Sequence, residues 1–248
     1  MSRKCRECGC EIKARPIKIA GFAAKKVYPV YCWPCAKILY DNLSDENSKM
    51  LFLQHLSSSG IPNKFKEFFL NNEVVPKDFQ RKNFIMVNSL ALNKHPLPYL
   101  WGQPGVGKTF FGTYIVYKYI EKFNSQAYFL PVSDMINDRY GTIDDPDKLM
   151  FKSTTIVIDD LGNHLINNRI ISYFFKALSY RMEHGLPTCI TSNSNPVKLG
   201  KRMASLGSGI DSVMIDALID RLIELCIPME MTGESIRVQN FLRRNEHV

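Results

Sequence analysis

The 248-residue chain lacks any apolar run close to the roughly 18 residues that a membrane-spanning helix needs, which argues against an integral membrane protein. Its first ten residues, MSRKCRECGC, do not have the apolar core of a secretory signal peptide. The sequence also has no internal repeats and no low-complexity tract. With 45% hydrophobic and 23% charged residues, its composition is that of an ordinary globular protein, and we expect it in the cytoplasm.

Net charge is almost absent from most of the chain. Residues 1–40 hold nine Lys and Arg against two Glu, which leaves 23 basic and 22 acidic residues for the other 208 positions. A basic head on a neutral body is typical of contact with nucleic acid or with an acidic protein surface. A lysine-rich solvated surface explains the same count. Four cysteine thiolates on Zn²⁺ would lower the charge of the head by about two.

Cysteine is scarce after residue 36, because five of the seven cysteines lie in CRECGC and YCWPC. Cys5 and Cys8 form one CxxC pair, and Cys32 and Cys35 form a second pair 23 residues later. Two such pairs can complete a tetrahedral structural zinc site, whose binding energy compensates for the small core of a 40-residue domain. Cys10 can replace Cys8 as a ligand, and a redox pair or unliganded core thiols are the alternatives. Cys189 and Cys226 are predicted to be buried core residues.

The second pair runs directly into AKILYDNL, which predicts a helix, and a zinc knuckle followed by a helix resembles a treble-clef finger. The sequence then predicts three regions: a zinc-binding domain at residues 1–40, a helical linker at 41–75 and a nucleotide-binding domain at 76–248. SSSGIP interrupts the helical pattern of the linker. The apolar residues Phe65, Phe68, Phe69 and Leu70 are predicted to form the packing face of one helix.

The stretch GQPGVGKT fits the phosphate-binding pattern G-x-x-x-x-G-K-[ST]. An apolar segment precedes it and a helix-like run follows it, which is the strand–loop–helix context that this motif requires. The backbone N–H groups of the loop are expected to surround the β- and γ-phosphates of ATP, Lys108 to neutralise their charge and Thr109 to hold Mg²⁺. The predicted nucleotide contacts in this stretch are Gly102, Pro104, Gly105, Val106, Gly107, Lys108, Thr109 and Phe110.

A β-branched apolar run, STTIVIDDL, ends in two aspartates. Such a run indicates a buried parallel strand that delivers its terminal carboxylates to the edge of the sheet where phosphates bind. Asp159 is predicted to hold Mg²⁺ and Asp160 to orient the attacking water. A second strand, LPTCITSN, ends at Asn193, which can hydrogen-bond that water or the γ-phosphate. The alternative for the acids is a solvated turn.

Two arginines follow in order along the chain. Arg221 lies in MIDALIDRLIELC, which predicts an amphipathic helix, and Arg237 lies in MEMTGESIRV. An arginine that reaches a γ-phosphate stabilises the charge of the transition state. Taken alone, each arginine is more typical of a surface ion pair, so their place in the series of motifs is what makes them candidates.

The series GQPGVGKT, IVIDDLG, TCITSN, ALIDRL and TGESIR resembles the AAA+ ATPases of the bacterial helicase-loader type, DnaC and DnaI, and their transposition-helper relatives, IstB. The resemblance covers roughly residues 57–240. It implies a parallel β-sheet flanked by helices, ATP and Mg²⁺ as cofactors, and ATP hydrolysis. It assigns Asn193 to the sensor-1 position, Arg221 to an arginine finger that serves a neighbouring subunit, and Arg237 to the sensor-2 position. Asp160 stands where many AAA+ proteins have glutamate, which predicts slow or partner-dependent hydrolysis.

The zinc head favours a helicase loader, because DnaI-type loaders carry such a domain and transposition helpers generally lack it. The expected partners are a DnaB-type replicative helicase, single-stranded DNA and further copies of the chain. Residues 131–152 and the stretch KLGKR (198–202) are candidates for DNA contact. The short head indicates a phage or mobile-element version. The alternatives are a transposition helper and a nucleotide-gated adaptor in which hydrolysis is incidental.

Overall fold

The computed structural model describes residues 3–4, 11–12, 15–17, 25–27, 33–71, 81–91, 96–136, 149–151, 153–162, 168–205 and 211–238. The chain divides into two compact units, Met1–Leu51 and Phe52–Val248. Among the described residues, no helix combines the length and the apolar character that crossing a bilayer requires.

The first unit contains two short antiparallel pairs of strands. Strand β1 (Arg3–Lys4) pairs with β2 (Glu11–Ile12), and β3 (Arg15–Ile17) pairs with β4 (Lys25–Val27). Helix α1 (Trp33–Ser58) begins in this unit and ends in the second one, and it confirms the helix predicted after the second CxxC pair. The predicted zinc ligands Cys5, Cys8, Cys32 and Cys35, and the alternative ligand Cys10, lie outside the part of the structure that is described at side-chain level, so the zinc site stays a prediction.

The second unit is built on a parallel five-stranded sheet. Its strands are β5 (Leu97–Trp101), β6 (Ala127–Pro131), β7 (Thr155–Asp159), β8 (Thr188–Ser192) and β9 (Cys226–Glu230), in the spatial order β6-β7-β8-β5-β9. All four neighbouring pairs are parallel. Every residue of β7 and of β8 is buried, because helices cover both faces of the sheet. The predicted α/β architecture and the two predicted buried strands are confirmed.

Within the described ranges, the helices of this unit include α2 (Asn63–Asn71), α3 (Arg81–Ala91), α4 (Lys108–Phe123), α5 (Val132–Ile136), α6 (Asn168–Glu183), α7 (Pro196–Ser205) and α8 (Ser212–Leu225). Successive residues of β7 point to opposite faces of the sheet. Ile156 and Ile158 therefore pack in one apolar cluster with α6, α7 and α8, whereas Val157 packs in a second cluster with α2, α3 and α4. Cys189 and Cys226 are both free and buried, as predicted.

The predicted packing face of α2 is only partly correct. Phe69 is buried, and its ring and the Phe65 ring lie 5.5 and 5.8 Å from the ring of Phe110, next to the phosphate-binding motif. Phe68 touches the same ring but is 39% exposed, and Leu70 is 49% exposed. The four apolar residues cover more of the helix circumference than one contact face can bury, so the outer two remain at the surface.

A fully buried arginine on α6 supports the beginnings of β7 and β8. Arg181 donates hydrogen bonds to the carbonyl oxygens of Met150, Ser153 and Pro187 at 3.0–3.1 Å, and to the hydroxyl of Thr188 at 2.8 Å. Burial lowers the pKa of this guanidinium to about 10. A buried cation without a partner is strongly unfavourable, and here the partners are peptide dipoles at the amino ends of two neighbouring strands. Arg181 therefore fixes the two strands that carry the acidic and polar site residues at their other ends.

Candidate functional site

The loop Gly102–Gly107 connects β5 to α4 in a conformation that depends on glycine. Gly105 and Gly107 have φ angles of 90° and 96°, in the left-handed region, and Gly107 is the N-cap of α4. Phe111 donates the first helical hydrogen bond, to the Gly107 carbonyl at 2.9 Å. The first N–H groups of a helix have no intrahelical partner, and here they follow directly from a loop of tightly turned backbone. This arrangement can bind a phosphate group.

Lys108 folds back across this loop. Its ammonium group donates to the carbonyl oxygens of Gly102 and Gln103, each at 2.8 Å, and the residue is buried. Burial lowers the pKa of Lys108, the charges of Asp160 and Asp159 act in the opposite direction, and the charge of Arg237 lowers the pKa further. An ammonium group has three donors, so one remains for a phosphate oxygen at the mouth of the loop.

Thr109, in the first turn of α4, meets Asp159, the last residue of β7. The Thr109 hydroxyl donates to Asp159 Oδ2 at 3.2 Å. Burial raises the pKa of Asp159, while hydrogen bonds from Thr191 and Thr109 lower it in part. A hydroxyl and a carboxylate oxygen side by side, next to a phosphate-binding loop, are the hard oxygen ligands that Mg²⁺ prefers. The residues present therefore fit a magnesium ion.

Asp160 has the unusual φ angle of 61°, which turns it away from the line of β7. Asn193, just after β8, donates its amide to Asp160 Oδ1 at 3.2 Å. Leu161 donates its N–H to the Thr191 carbonyl at 2.8 Å, so the turn after β7 is fastened to β8. The structure thus brings Asp160 and Asn193 together at the same edge of the sheet as Asp159.

The segment after β9 packs against the back of the phosphate-binding loop. Ile236 donates its N–H to the Gly105 carbonyl at 3.0 Å, and Met231 donates to the Trp101 carbonyl at 2.6 Å. A Cβ on Gly105 would overlap the side chain of Ser235. Arg237 follows immediately, and its charge acts on Lys108 although its side chain is exposed. The last predicted residue of the series is therefore close to the loop.

Two side chains of the predicted phosphate-binding stretch serve in packing, and Arg221 lies elsewhere in the unit. Val106 is buried in the apolar cluster that includes α4, and Phe110 packs with the aromatic rings of α2. Arg221, on α8, forms an ion pair with Glu224 at 2.7 Å. Within the described part of the chain, the contacts of Arg221 include none of the residues around Lys108. Pro104 is exposed on the loop itself.

Two residues at the site were missed by sequence reasoning. Thr191 on β8 hydrogen-bonds both Asp159 and Asp160. Gly112 on α4 lies so close to the sheet that a Cβ there would be 3.1 Å from Val157 Cγ1. The available signals were a hydroxyl inside an otherwise apolar strand and a glycine inside a helix, where it costs about 1 kcal/mol relative to alanine.

Comparison with known proteins identifies the family. The sequence profile of the IstB-like ATP binding protein family matches residues 87–244, more than half of the chain. The chain belongs to this family. This IstB-like chain is 29% identical over 143 residues to the ATP-binding protein of insertion sequence IS5376 from Geobacillus stearothermophilus. The alignment covers 56% of this chain and 54% of that protein. It is 24% identical over 194 residues to the replicative helicase loader DnaI of Bacillus subtilis, covering 69% and 62%. The chain thus spans somewhat over half the length of these curated relatives.

Solved structures give the same fold. The IstB-like chain superimposes on a crystal structure of DnaI with a TM-score of 0.59 and 22% identity, covering 73% of this chain and 98% of that one. It superimposes on the DnaC helicase loader with a TM-score of 0.51 and 18% identity, covering 66% and 96%. The predicted AAA+ fold is confirmed, and at these identities the likeness concerns the fold alone.

We expect the variant Asp159→Asn to bind ATP more weakly but to unfold at a higher temperature. The amide keeps an acceptor for Thr191 and gains a donor for Thr109, and it removes the negative charge that a metal ligand needs. The pKa of Asp159 is higher in the folded chain than in the unfolded chain. At any pH above both pKa values, the ionised carboxylate therefore lowers the free energy of unfolding, and the neutral amide does not.

Thermal unfolding and titration of a fluorescent ATP analogue measure the two effects. With Mg²⁺ present, the affinity of the variant for the ATP analogue should fall at least 10-fold. Loss of an outer-shell partner of a metal already costs about that much, and Asp159 is a proposed direct ligand. In EDTA the affinity should be unchanged. Asp216→Asn, an exposed change on α8, is the control for a lost charge and should move neither quantity. A lower melting temperature with intact magnesium dependence contradicts this account of Asp159.

Proposed function

We propose that this IstB-like protein is an ATPase that loads a replicative helicase. The observation that carries the ATPase part of the proposal is the convergence of Lys108, Thr109, Asp159, Asp160 and Asn193 at one edge of the sheet. Each of these residues has a defined role in phosphoryl transfer to water, and they come from three separate elements.

The roles follow from the contacts. The N–H groups at the start of α4 and the Lys108 ammonium bind the β- and γ-phosphates, and Thr109 and Asp159 hold Mg²⁺. A magnesium ion in that position neutralises charge that develops on the phosphate oxygens. Asp160 orients the attacking water, and Asn193 fixes the Asp160 carboxylate through the 3.2 Å hydrogen bond. Arg237 adds positive charge beside the γ-phosphate.

Arg221 acts on the nucleotide of a neighbouring copy. Within its own subunit it contacts Glu224, one turn along α8, and its side chain is 34% exposed. An arginine that is partly exposed, and whose described contacts do not include its own phosphate-binding loop, can complete the site of a second subunit, as arginine fingers supplied in trans do. ATP-bound subunits therefore associate side by side, and hydrolysis depends on that association.

The variant Arg221→Ala should lose about 10³-fold in ATP turnover and keep its nucleotide affinity, because the finger acts only in the transition state. Steady-state hydrolysis, with and without single-stranded DNA, and titration of a fluorescent ATP analogue are the measurements.

Glu224→Ala is the matched control. It breaks the same ion pair but leaves the guanidinium in place, and a surface pair of this kind contributes at most about 1 kcal/mol to stability. Equal losses in both variants contradict the finger role. If Arg221→Ala still binds its partner protein as well as the wild type does, the result supports the nucleotide-gated adaptor instead.

The partner that we propose is a DnaB-type helicase, contacted by the first unit. Two observations support it. The matched relatives include a replicative helicase loader, and residues 1–40 carry a charge of +7 with two CxxC pairs in front of the nucleotide-binding unit. Zinc bound by Cys5, Cys8, Cys32 and Cys35 gives this small head its own stability.

Binding to purified DnaB-type helicase is expected for the full chain with ATP and is expected to be lost on removal of residues 1–40. Analytical gel filtration detects the complex, and atomic absorption of the full chain should find one Zn²⁺ per molecule. The nucleotide affinity of the shortened chain, which should be unchanged, is the control for its folding. Helicase binding that survives removal of the head supports the transposition-helper function, which the resemblance to the IS5376 protein favours.

Single-stranded DNA is the second proposed partner. Helix α7 presents Lys198, Lys201 and Arg202 to solvent, and its apolar residues Leu199 and Met203 are buried in the apolar cluster that includes α8. Three cations on one side of a surface helix can follow a phosphate backbone. Of the other predicted contact region, residues 131–152, most positions lie outside the described residues.

Replacement of Lys198, Lys201 and Arg202 by alanine should weaken DNA binding and flatten its salt dependence. Each lost phosphate contact lowers the slope of log affinity against log salt by about 0.7 for a single strand, so three contacts give a change of about 2. Fluorescence anisotropy of a labelled oligonucleotide at several salt concentrations measures both. In the control, Lys64 on α2 and Arg81 and Lys82 on α3 are changed to alanine. This variant loses the same charge at another surface. Equal slopes for the two triple variants contradict the assignment to α7.

A further inference from the structure

Thr191 is a polar residue at a fully buried position of the sheet. It is 1% exposed and lies on β8, between the strands β7 and β5. A hydroxyl in such a place needs hydrogen-bond partners, and most side-chain hydrogen bonds in proteins go to the backbone or to water. Here the hydroxyl instead donates to the carboxylate of Asp159, at 2.6 Å on Oδ1.

The same oxygen also accepts a hydrogen bond, from the backbone N–H of Asp160 at 2.9 Å. A hydroxyl has one proton and two lone pairs, so the donation to Asp159 and the acceptance from Asp160 together fix its orientation. One side chain thereby contacts both acidic residues that follow β7.

The contact with Oδ1 determines where the other carboxylate oxygen lies. Asp159 Oδ2 accepts from the Thr109 hydroxyl, on the side of the phosphate-binding loop. With Oδ1 held by Thr191, the carboxylate cannot rotate without breaking a hydrogen bond. Oδ2 is thus kept facing α4, where the proposed magnesium ion binds.

The methyl group of Thr191 has a separate, purely steric neighbour. A Cβ built on Gly112 of α4 would lie 3.3 Å from Thr191 Cγ2, so helix and strand approach each other closely at this point. Valine keeps this methyl group and loses the hydroxyl, whereas serine keeps the hydroxyl and loses the methyl group. The two substitutions separate packing from hydrogen bonding at one position.

We propose that Thr191 is a positioning residue of the ATPase site, which aims the Asp159 carboxylate at the magnesium ion of bound ATP and holds the backbone of Asp160 in its left-handed turn. The proposal rests on the proposed ATPase function. Thr191 touches no substrate atom and acts through the two aspartates. Outer-shell partners of this kind change metal affinity or activity by about 10- to 100-fold when they are removed.

The test measures magnesium dependence of nucleotide binding in the full chain. An ATP analogue with a methylanthraniloyl fluorophore is titrated into the wild type, Thr191→Val and Thr191→Ser, first in EDTA and then with increasing MgCl₂. For Thr191→Val we expect a half-saturating magnesium concentration about 10- to 100-fold higher than for the wild type, with unchanged affinity in EDTA. Thr191→Ser should stay close to the wild type in both.

Each other result overturns the proposal. Magnesium dependence of Thr191→Val equal to that of the wild type means that the hydroxyl has no effect on the carboxylate. Equal defects in the valine and serine variants mean that only packing matters. If thermal unfolding shows that Thr191→Val is not folded, serine is compared with Thr191→Ala, since these two differ only in the hydroxyl. A wild-type chain that binds the analogue equally with and without magnesium overturns the proposed function as well, which distinguishes the two failures.

Discussion

A buried carboxylate at the end of β7 is the constraint around which the second unit is organised. Removing a carboxylate from water is costly unless hydrogen-bond donors surround it. Asp159 obtains its donors from two different elements, Thr109 at the start of α4 and Thr191 on β8. These bonds fix the distance between helix and sheet at the point where the phosphate-binding loop ends. Gly112 permits that distance, because any side chain there would press against Val157 and Thr191.

The strand order places the loop where it can use this carboxylate. Strands β5 and β8 are neighbours in the interior of the sheet. From β5 the chain runs through α4 to β6 at one edge, whereas from β8 it runs to β9 at the opposite edge. In open parallel sheets, ligands bind at such a change of direction, outside the carboxyl ends of the strands. Strand β9 pairs with the other side of β5, and the residues after it therefore reach the back of the loop, where Ile236 contacts Gly105.

Local sequence predicted the parts of the site that depend on spacing. Phosphate-binding loops require glycine at fixed positions, and fully buried strands require unbroken apolar runs, so GQPGVGKT and TTIVID could be interpreted directly. The roles of Thr191 and Arg181 could not, because each depends on a partner far along the chain, 32 residues away for Asp159 and 28 for Ser153, which strand order and register bring close. Leu70 shows the opposite error: an apolar cluster indicated burial, but helical geometry places that side chain outside the contact.

The same contacts explain why hydrolysis should depend on partners. Asp160 is a short carboxylate, its backbone is held by Thr191 and its side chain by Asn193, so its reach toward a water molecule is limited. Arg221 forms an ion pair with Glu224 on its own subunit. In the proposed function, a single subunit combines the phosphate-binding loop with an acid of short reach, and the arginine finger comes from a neighbouring copy. We propose that such a subunit holds ATP and hydrolyses it slowly until a neighbour supplies Arg221, and a slow step of this kind would let a loader remain bound until its partner is assembled.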